Sequence, residues 1–193
     1  MVTVKPMLAH KIIEHTPPTG PGWLFERKFD GVRAVAGLRA GHPFITSREG
    51  ADLTEKFPEV AAILKRLPWS DTTLDGELVG DGLSAMQWRV GLAGAGEFAI
   101  RRCPATLHAF DLLAGQGQEF VAAPLSARKE LLEALLRRQE GVVEVVACRD
   151  GAALWSQALA EGWEGIVAKR ADSLYRPGRR SDSWVKVKPG RRA

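Results

Sequence analysis

The strongest constraint on the fold is a run of short segments with two-residue alternation that begins at residue 23. Segments 23–29, 31–39 and 43–48 follow one another across Asp30-Gly31 and an Ala-Gly-His-Pro turn. Asp30-Gly31 reads as the turn that joins the first two. Further strands are expected at 72–79, 105–113, 142–147, 165–170 and 184–188. Helices are interspersed among them. Pro58 opens one whose stripe is Val60, Ile63, Leu64 and Leu67. A short helix is expected at 84–91. Ser126 is read as the cap of a third running to Arg138, with Leu131, Leu132, Leu135 and Leu136 facing the core, and a fourth spans 152–161. The Gly-rich stretch 91–98 fits neither common phosphate-binding pattern and reads as a loop. The expected class is α+β with antiparallel sheets.

At 193 residues and 45% hydrophobic, the chain can bury roughly 70% of its unfolded surface as one domain, without a metal or disulfide staple. Cys103 and Cys148 form no CxxC pair, and His10, His15, His42 and His108 show no metal-ligand spacing. They read as reduced thiols of a cytosolic protein and as ordinary histidines. No apolar run is long enough for a signal peptide or a membrane span. The net charge of +4 is unevenly placed, because the chain from Lys169 onward carries nine basic residues against Asp172 and Asp182. That excess suggests a polyanionic partner, either nucleic acid or the phosphates of a nucleotide. Within it, SWVKVKPG alternates strictly, which puts Val185 and Val187 on a buried face and Lys186 and Lys188 together on the other.

The chemistry gathers in a few strand-borne segments. In FERKFDGVRA (25–34), alternation places Glu26, Lys28 and Asp30 on one face. The others are TSREG (46–50), LDGELV (74–79), HAFDLL (108–113), EGIVAK (164–169) and WVKVK (184–188). In this order and spacing they resemble the covalent nucleotidyltransferases, namely ATP-dependent DNA ligases, RNA ligases and mRNA capping enzymes. Lys-x-Asp-Gly-x-Arg is present as Lys28, Asp30, Gly31 and Arg33, and Asp-Gly-Glu as Asp75, Gly76 and Glu77. The aromatic strand follows with Phe110, then Glu164-Gly165, then Lys186 and Lys188. The resemblance runs from Pro6 to Lys188. KPMLA (5–9) and YRPGRRSDSWVKVKP (175–189) look most like the DNA ligases, particularly the ligase domain of bacterial end-joining enzymes. It implies a covalent-nucleotidyltransferase (ATP-grasp-like) fold, with two antiparallel sheets and flanking helices around a nucleotide pocket.

On that resemblance Lys28 attacks the α-phosphorus of ATP, expels pyrophosphate and carries AMP, which passes to a DNA 5′-phosphate before the nick is sealed. The attacking amine must be neutral, although its free pKa is near 10.4. Glu26 and Asp30 would push that value up, so a divalent cation (Mg²⁺ or Mn²⁺) and neighbouring cationic side chains are expected to compensate. Glu77 and Glu164 are the candidates to hold the metal or the ribose. Lys186 and Lys188 would hold the α-phosphate. A carboxylate at Glu26 suits the N6 amine of adenine and suits the O6 of guanine poorly. Phe110 would stack on the purine. The resemblance puts Arg33 on the ribose and Arg48 on the 5′-phosphate of the broken strand, with Arg180 and Trp184 at phosphate or strand contacts. Asp30 either orients the Lys28 loop or makes a simple Asx turn, and Arg89 receives no role.

The expected partner is nicked duplex DNA, with end-joining proteins, in the bacterial cytoplasm, for a monomer. Residues 1–193 are read as one adenylation domain. An OB-fold domain normally begins just after the Lys-x-Lys strand; here it is expected to be absent and supplied in cis or trans. Two other readings share these residues: an RNA ligase, and a non-catalytic nucleic-acid-binding module.

Overall fold

The computed structural model describes residues 4–11 and 15–190. In chain order the elements are strand β1 (Leu8–Lys11), β2 (Trp23–Arg27), β3 (Val32–Arg39), β4 (His42–Ser47), helix α1 (Pro58–Leu64), β5 (Thr73–Val79), α2 (Leu83–Gly91) and α3 (Glu97–Arg102). They continue with β6 (Thr106–Gly115), β7 (Gln118–Glu119), α4 (Leu125–Leu136), β8 (Val142–Glu144), α5 (Gly151–Ala160), β9 (Ile166–Arg170) and β10 (Arg180–Val187). Two sheets result. One has the order β1-β10-β9-β2; the other has β4-β3-β5-β6-β7, with β8 also paired to β6. All pairings are antiparallel except β1 with β10 and β6 with β8.

The sheets explain the alternation. Ala34, Ala36 and Leu38 of β3 join Ile45, Leu74, Leu78, Leu107 and Leu112 in a core closed by α1 and α4. Phe25, Ile166, Ala168, Val185 and Val187 pack against α5. A third cluster joins the sheets: Ala9 of β1 and Trp184 of β10, with Met7 just before β1 and Tyr175 between β9 and β10, meet Leu113 of β6. Val185 and Val187 are buried, as their alternation requires.

The main departure from the sequence expectation lies at Asp30-Gly31. Strands β2 and β3 do not form a hairpin; they belong to different sheets, and residues 28–31 cross between them. Gly31 is needed there for close approach, since a Cβ would lie 2.1 Å from the Leu78 carbonyl oxygen. Asp30 is exposed and makes no side-chain hydrogen bond among the described residues, so the Asx turn is not seen.

Several boundaries also move. β2 stops at Arg27 instead of 29, and β8 stops at Glu144 instead of 147, where Val145 turns to bond Ala109. α4 starts two residues early, its N-cap position being Pro124 instead of Ser126, which lies inside the helix, and no side chain caps it. Residues 97–102, partly read as loop, form α3. The short strands β1 and β7 were not visible as patterns. In the basic segment, Arg191 and Arg192 fall outside the described residues. Among the described residues, no helix is long and apolar enough to cross a membrane.

Candidate nucleotide-binding site

A cavity of about 430 Å³ opens between the sheets, a size within the usual range for small-molecule sites. Its walls come from both. β2 and the crossover give Glu26, Lys28 and Gly31, and β10 gives Trp184 and Lys186. The other sheet gives Arg33, Glu77 and Phe110, with Arg48 at the end of β4. Eight of the residues expected from sequence therefore line one cavity: Glu26, Lys28, Arg33, Arg48, Glu77, Phe110, Trp184 and Lys186. Glu164, Lys188 and Arg180 are not in its lining.

Lys28 lies one residue beyond β2, its backbone N–H donating to the Gly165 carbonyl at 3.0 Å. Gly165 has φ of 142°, and a Cβ there would meet the Val187 carbonyl oxygen at 2.1 Å, so only glycine fits. The preceding residue, Glu164, accepts hydrogen bonds from Lys28 Nζ at one carboxylate oxygen and from Lys188 Nζ at the other. The acid in contact with Lys28 is thus neither of its sequence neighbours. The Glu164 carboxyl is held below its ordinary range; burial opposes this, but the bonds to Lys188 and Lys28 outweigh it.

Glu26, two residues before Lys28, is paired elsewhere. Its side chain is 2% exposed and lies 2.5 Å from Lys169 Nζ and 3.1 Å from Lys129 Nζ. Burial alone would raise its pKa, yet the two ammonium groups hold it lowered. Lys169 in turn has its Nζ 4.3 Å from the Phe110 ring centre and 4.2 Å from that of Trp184. Trp184 is itself core, edge-on to Phe110 and Tyr175, and its indole N–H has no partner among the described residues.

On the opposite wall, Arg33 is clamped by Asp75, Nε to Oδ1 at 2.6 Å and Nη2 to Oδ2 at 2.7 Å. The Tyr175 hydroxyl donates to Asp75 at 2.6 Å and accepts from the Met7 N–H at 2.9 Å. Arg33 also lies over the Phe110 ring at 4.6 Å. Burial opposes the guanidinium charge, but Asp75 more than restores it and raises the Arg33 pKa. Glu77 sits directly across the ladder from Arg33. Burial pushes its carboxyl up to about 7, against the lowering influence of Arg33 and Lys28. Lys186 has its pKa lowered, by burial first and then by Lys28, Arg33, Arg180 and Arg48. It forms no ion pair among the described residues. Arg48 is half exposed at the mouth, beside Glu49 at 3.8 Å. Arg180 instead ties β10 to β1, Nη1 donating to the Ala9 carbonyl at 2.5 Å.

No group of three or more metal-ligating side chains occurs among the described residues. Glu77, a pocket carboxylate without a hydrogen-bonded partner there, fits a cation that takes one or two carboxylates and fills its shell with phosphate and water. Glu164 would have to exchange its lysine contacts to join it.

Sequence reasoning missed the residues that fix this pocket from behind. Arg128 pairs with the fully buried Asp111 through two bonds, of 2.7 and 2.8 Å. Lys129, Asp75 and Tyr175 act similarly. Asp75 and Lys169 stood inside quoted motifs, but nothing in the sequence paired them. Arg89, assigned no role, is a buried strut. It grips Glu59 through two bonds of 2.5 Å and donates to the carbonyls of Lys56 and Cys103.

A lysine at the junction of two sheets, bridged through a carboxylate to a second lysine and facing a small-molecule cavity, is an arrangement suited to a nucleotidyltransferase domain. The comparisons with known proteins agree. The chain belongs to the family described as "ATP dependent DNA ligase domain", which it matches over residues 6–188. It is 35% identical over 166 residues to the multifunctional non-homologous end joining DNA repair protein LigD of Mycobacterium tuberculosis, covering 86% of this chain and 21% of that protein. It is likewise 35% identical over 198 residues to a probable DNA ligase of Anaeromyxobacter dehalogenans, covering 96% of this chain and 38% of that one. The chain thus spans between about a fifth and two fifths of these relatives. A solved mycobacterial DNA ligase D complexed with ATP and MES superimposes with a TM-score of 0.80 at 34% identity, covering 96% of this chain and 60% of that one. The Chlorella virus DNA ligase–adenylate shares the fold, with a TM-score of 0.69 at 17% identity, covering 97% of this chain and 69% of that one.

Proposed function

We propose that this chain is the adenylation domain of an ATP-dependent DNA ligase, with Lys28 as the nucleophile. The observation that carries the reading is the placement of Lys28 Nζ at the cavity wall, hydrogen-bonded to Glu164. Adenine lies against Phe110 with its N6 amine toward Glu26, the ribose lies beside Arg33, and the α-phosphate lies at Lys186. Lys28 gives up a proton across its bond to Glu164, and its lone pair forms the N–P bond as the bond from phosphorus to the pyrophosphate oxygen breaks. Lys186 and Lys188 stabilise the charge on the non-bridging oxygens. Glu77 would hold Mg²⁺ or Mn²⁺, whose chemistry when bound is to neutralise phosphate charge, while Glu164 stays with Lys28 and Lys188. An oxygen of a DNA 5′-phosphate then attacks the AMP phosphorus and releases Lys28. The 3′-hydroxyl of the nick next attacks the activated 5′-phosphorus and expels AMP. Arg48, at the mouth, takes the 5′-phosphate; Arg180 supports the edge strand beside it.

Nick sealing by these 193 residues is slow without an OB-fold domain in cis or trans, and the natural setting is bacterial end joining. Intact mass before and after incubation with ATP and Mg²⁺ or Mn²⁺ tests the first step. The expected result is a gain of one AMP that is absent in Lys28→Ala, with the fold unchanged. The absence of any gain, with an OB-fold protein added, overturns the reading. Comparing nicked DNA with nicked RNA as acceptor then decides the substrate.

A further inference from the structure

Two buried ammonium groups on one pocket carboxylate are more than an adenine contact requires. Glu26 and Lys169 line the cavity, whereas Lys129 stands behind it on α4. Lys129 is pinned there. Its Nζ donates to the Val145 carbonyl and lies 3.1 Å from Glu26 Oε1 and 4.0 Å from Glu144 on β8. Lys169 on β9 approaches the other oxygen, Oε2, at 2.5 Å. The remaining nearby charge is Asp111 on β6, which is neutralised by its own pair with Arg128. Glu26 Oε1 is buried with Lys129 Nζ at 3.1 Å as its one charged contact. A carboxylate oxygen has two accepting positions, so one remains beside Lys129.

We propose that Lys129 is a positioning residue for base selection: together with Lys169 it keeps Glu26 a pure hydrogen-bond acceptor, so that the site takes a nucleotide whose purine offers an amine and refuses one that offers a carbonyl. An ionised carboxylate only accepts, whereas a protonated one carries a donor. Adenine presents N6–H₂ and guanine presents O6 at the equivalent edge. Left alone in a site this buried, Glu26 would take up a proton and could donate to O6, and the discrimination would fade. This inference rests on the reading that Lys28 is charged from ATP with adenine at Glu26.

The test is the ratio of Lys28-linked AMP to Lys28-linked GMP formed from an equal mixture of ATP and GTP, read by intact mass across pH. The wild-type ratio stays flat down to about pH 5, near the ordinary carboxyl range. In Lys129→Met it falls about tenfold or more in acid, as expected for loss of a bond to a charged acceptor, and recovers as pH rises. Lys129→Arg keeps the wild-type profile, and Glu26→Gln loses the preference at every pH. A Lys129→Met protein that loads AMP with the wild-type ratio throughout overturns the proposal. So does a wild-type ratio that declines through about pH 6 to 7, a result that stands even where Lys129→Met does not fold. Complete absence of a nucleotide on wild-type Lys28 is a different outcome, and it removes the underlying reading as well.

Discussion

Replacing Gly31 with alanine tests whether the crossover between the sheets sets the position of Lys28, the proposed nucleophile. Gly31 lies outside the left-handed region of backbone space, so alanine is not excluded by conformation. It is excluded by space. The new Cβ would fall 2.1 Å from the Leu78 carbonyl oxygen and 3.1 Å from Glu77 Cγ, where ordinary contact starts at 3.4 Å. The oxygen belongs to β5, between β3 and β6 in the middle of its sheet, and cannot retreat. The crossover must therefore move by more than 1 Å, and it carries Lys28, three residues away. Misplacing a reacting group by about 1 Å can cost on the order of 100-fold in rate. Overpacking of this kind costs about 1–3 kcal/mol, a fall in Tm of roughly 2–10 °C for a domain of this size. The assay is the single-turnover rate of AMP loading by intact mass, beside a thermal melt. Gly94→Ala is the control, because Gly94 has nothing within 4 Å of its would-be Cβ. A Gly31→Ala protein that loads AMP at the wild-type rate refutes the reasoning.

Two stability predictions follow from buried charge. With no nucleotide bound, the Glu77 carboxyl, raised by burial to about 7, contributes stability that is fully present below the ordinary value near 4.3 and is lost as pH climbs through about 7. That loss amounts to up to about 4 kcal/mol, so Glu77→Gln flattens the fall of Tm over this window; parallel curves for the two proteins would count against it. Arg89→Met strands the Glu59 carboxylate and should cost about 3–5 kcal/mol, or about 10 °C in Tm. Glu59→Gln added to it should recover part of the loss, and AMP loading well below Tm should be unaffected.

What the sequence reveals of this fold is its periodic part. Alternation in β3, β5, β6 and β10 and the apolar stripe of α1 follow from which side chains must leave water, and they are readable one strand at a time. The junction is not readable that way. Asp-Gly between two alternating segments has the look of a hairpin, and only the placement of Leu78 shows that the glycine admits a neighbouring carbonyl instead. Charge on an inward face misleads similarly. Arg128 and Lys129 interrupt the leucine pattern of α4, and each is buried on a carboxylate of another element, Asp111 of β6 and Glu26 of β2. Lys28 stood out through the company of its motif, but its real contact, Glu164, is 136 positions distant. Local spacing could not have chosen it over Glu26 or Asp30.

The division of the pocket between two sheets also bears on when the chain becomes active. Lys28, Glu164 and Lys188 belong with the four-stranded sheet, while Arg33, Glu77 and Phe110 belong with the six-stranded one. Strand β1, near the start of the described chain, pairs with β10 near its end. A chain still emerging from the ribosome has neither Lys186 and Lys188 nor the partner of its first strand. On the function proposed above, charging with AMP would thus be a completion mark, reserved for molecules in which both sheets have formed and docked.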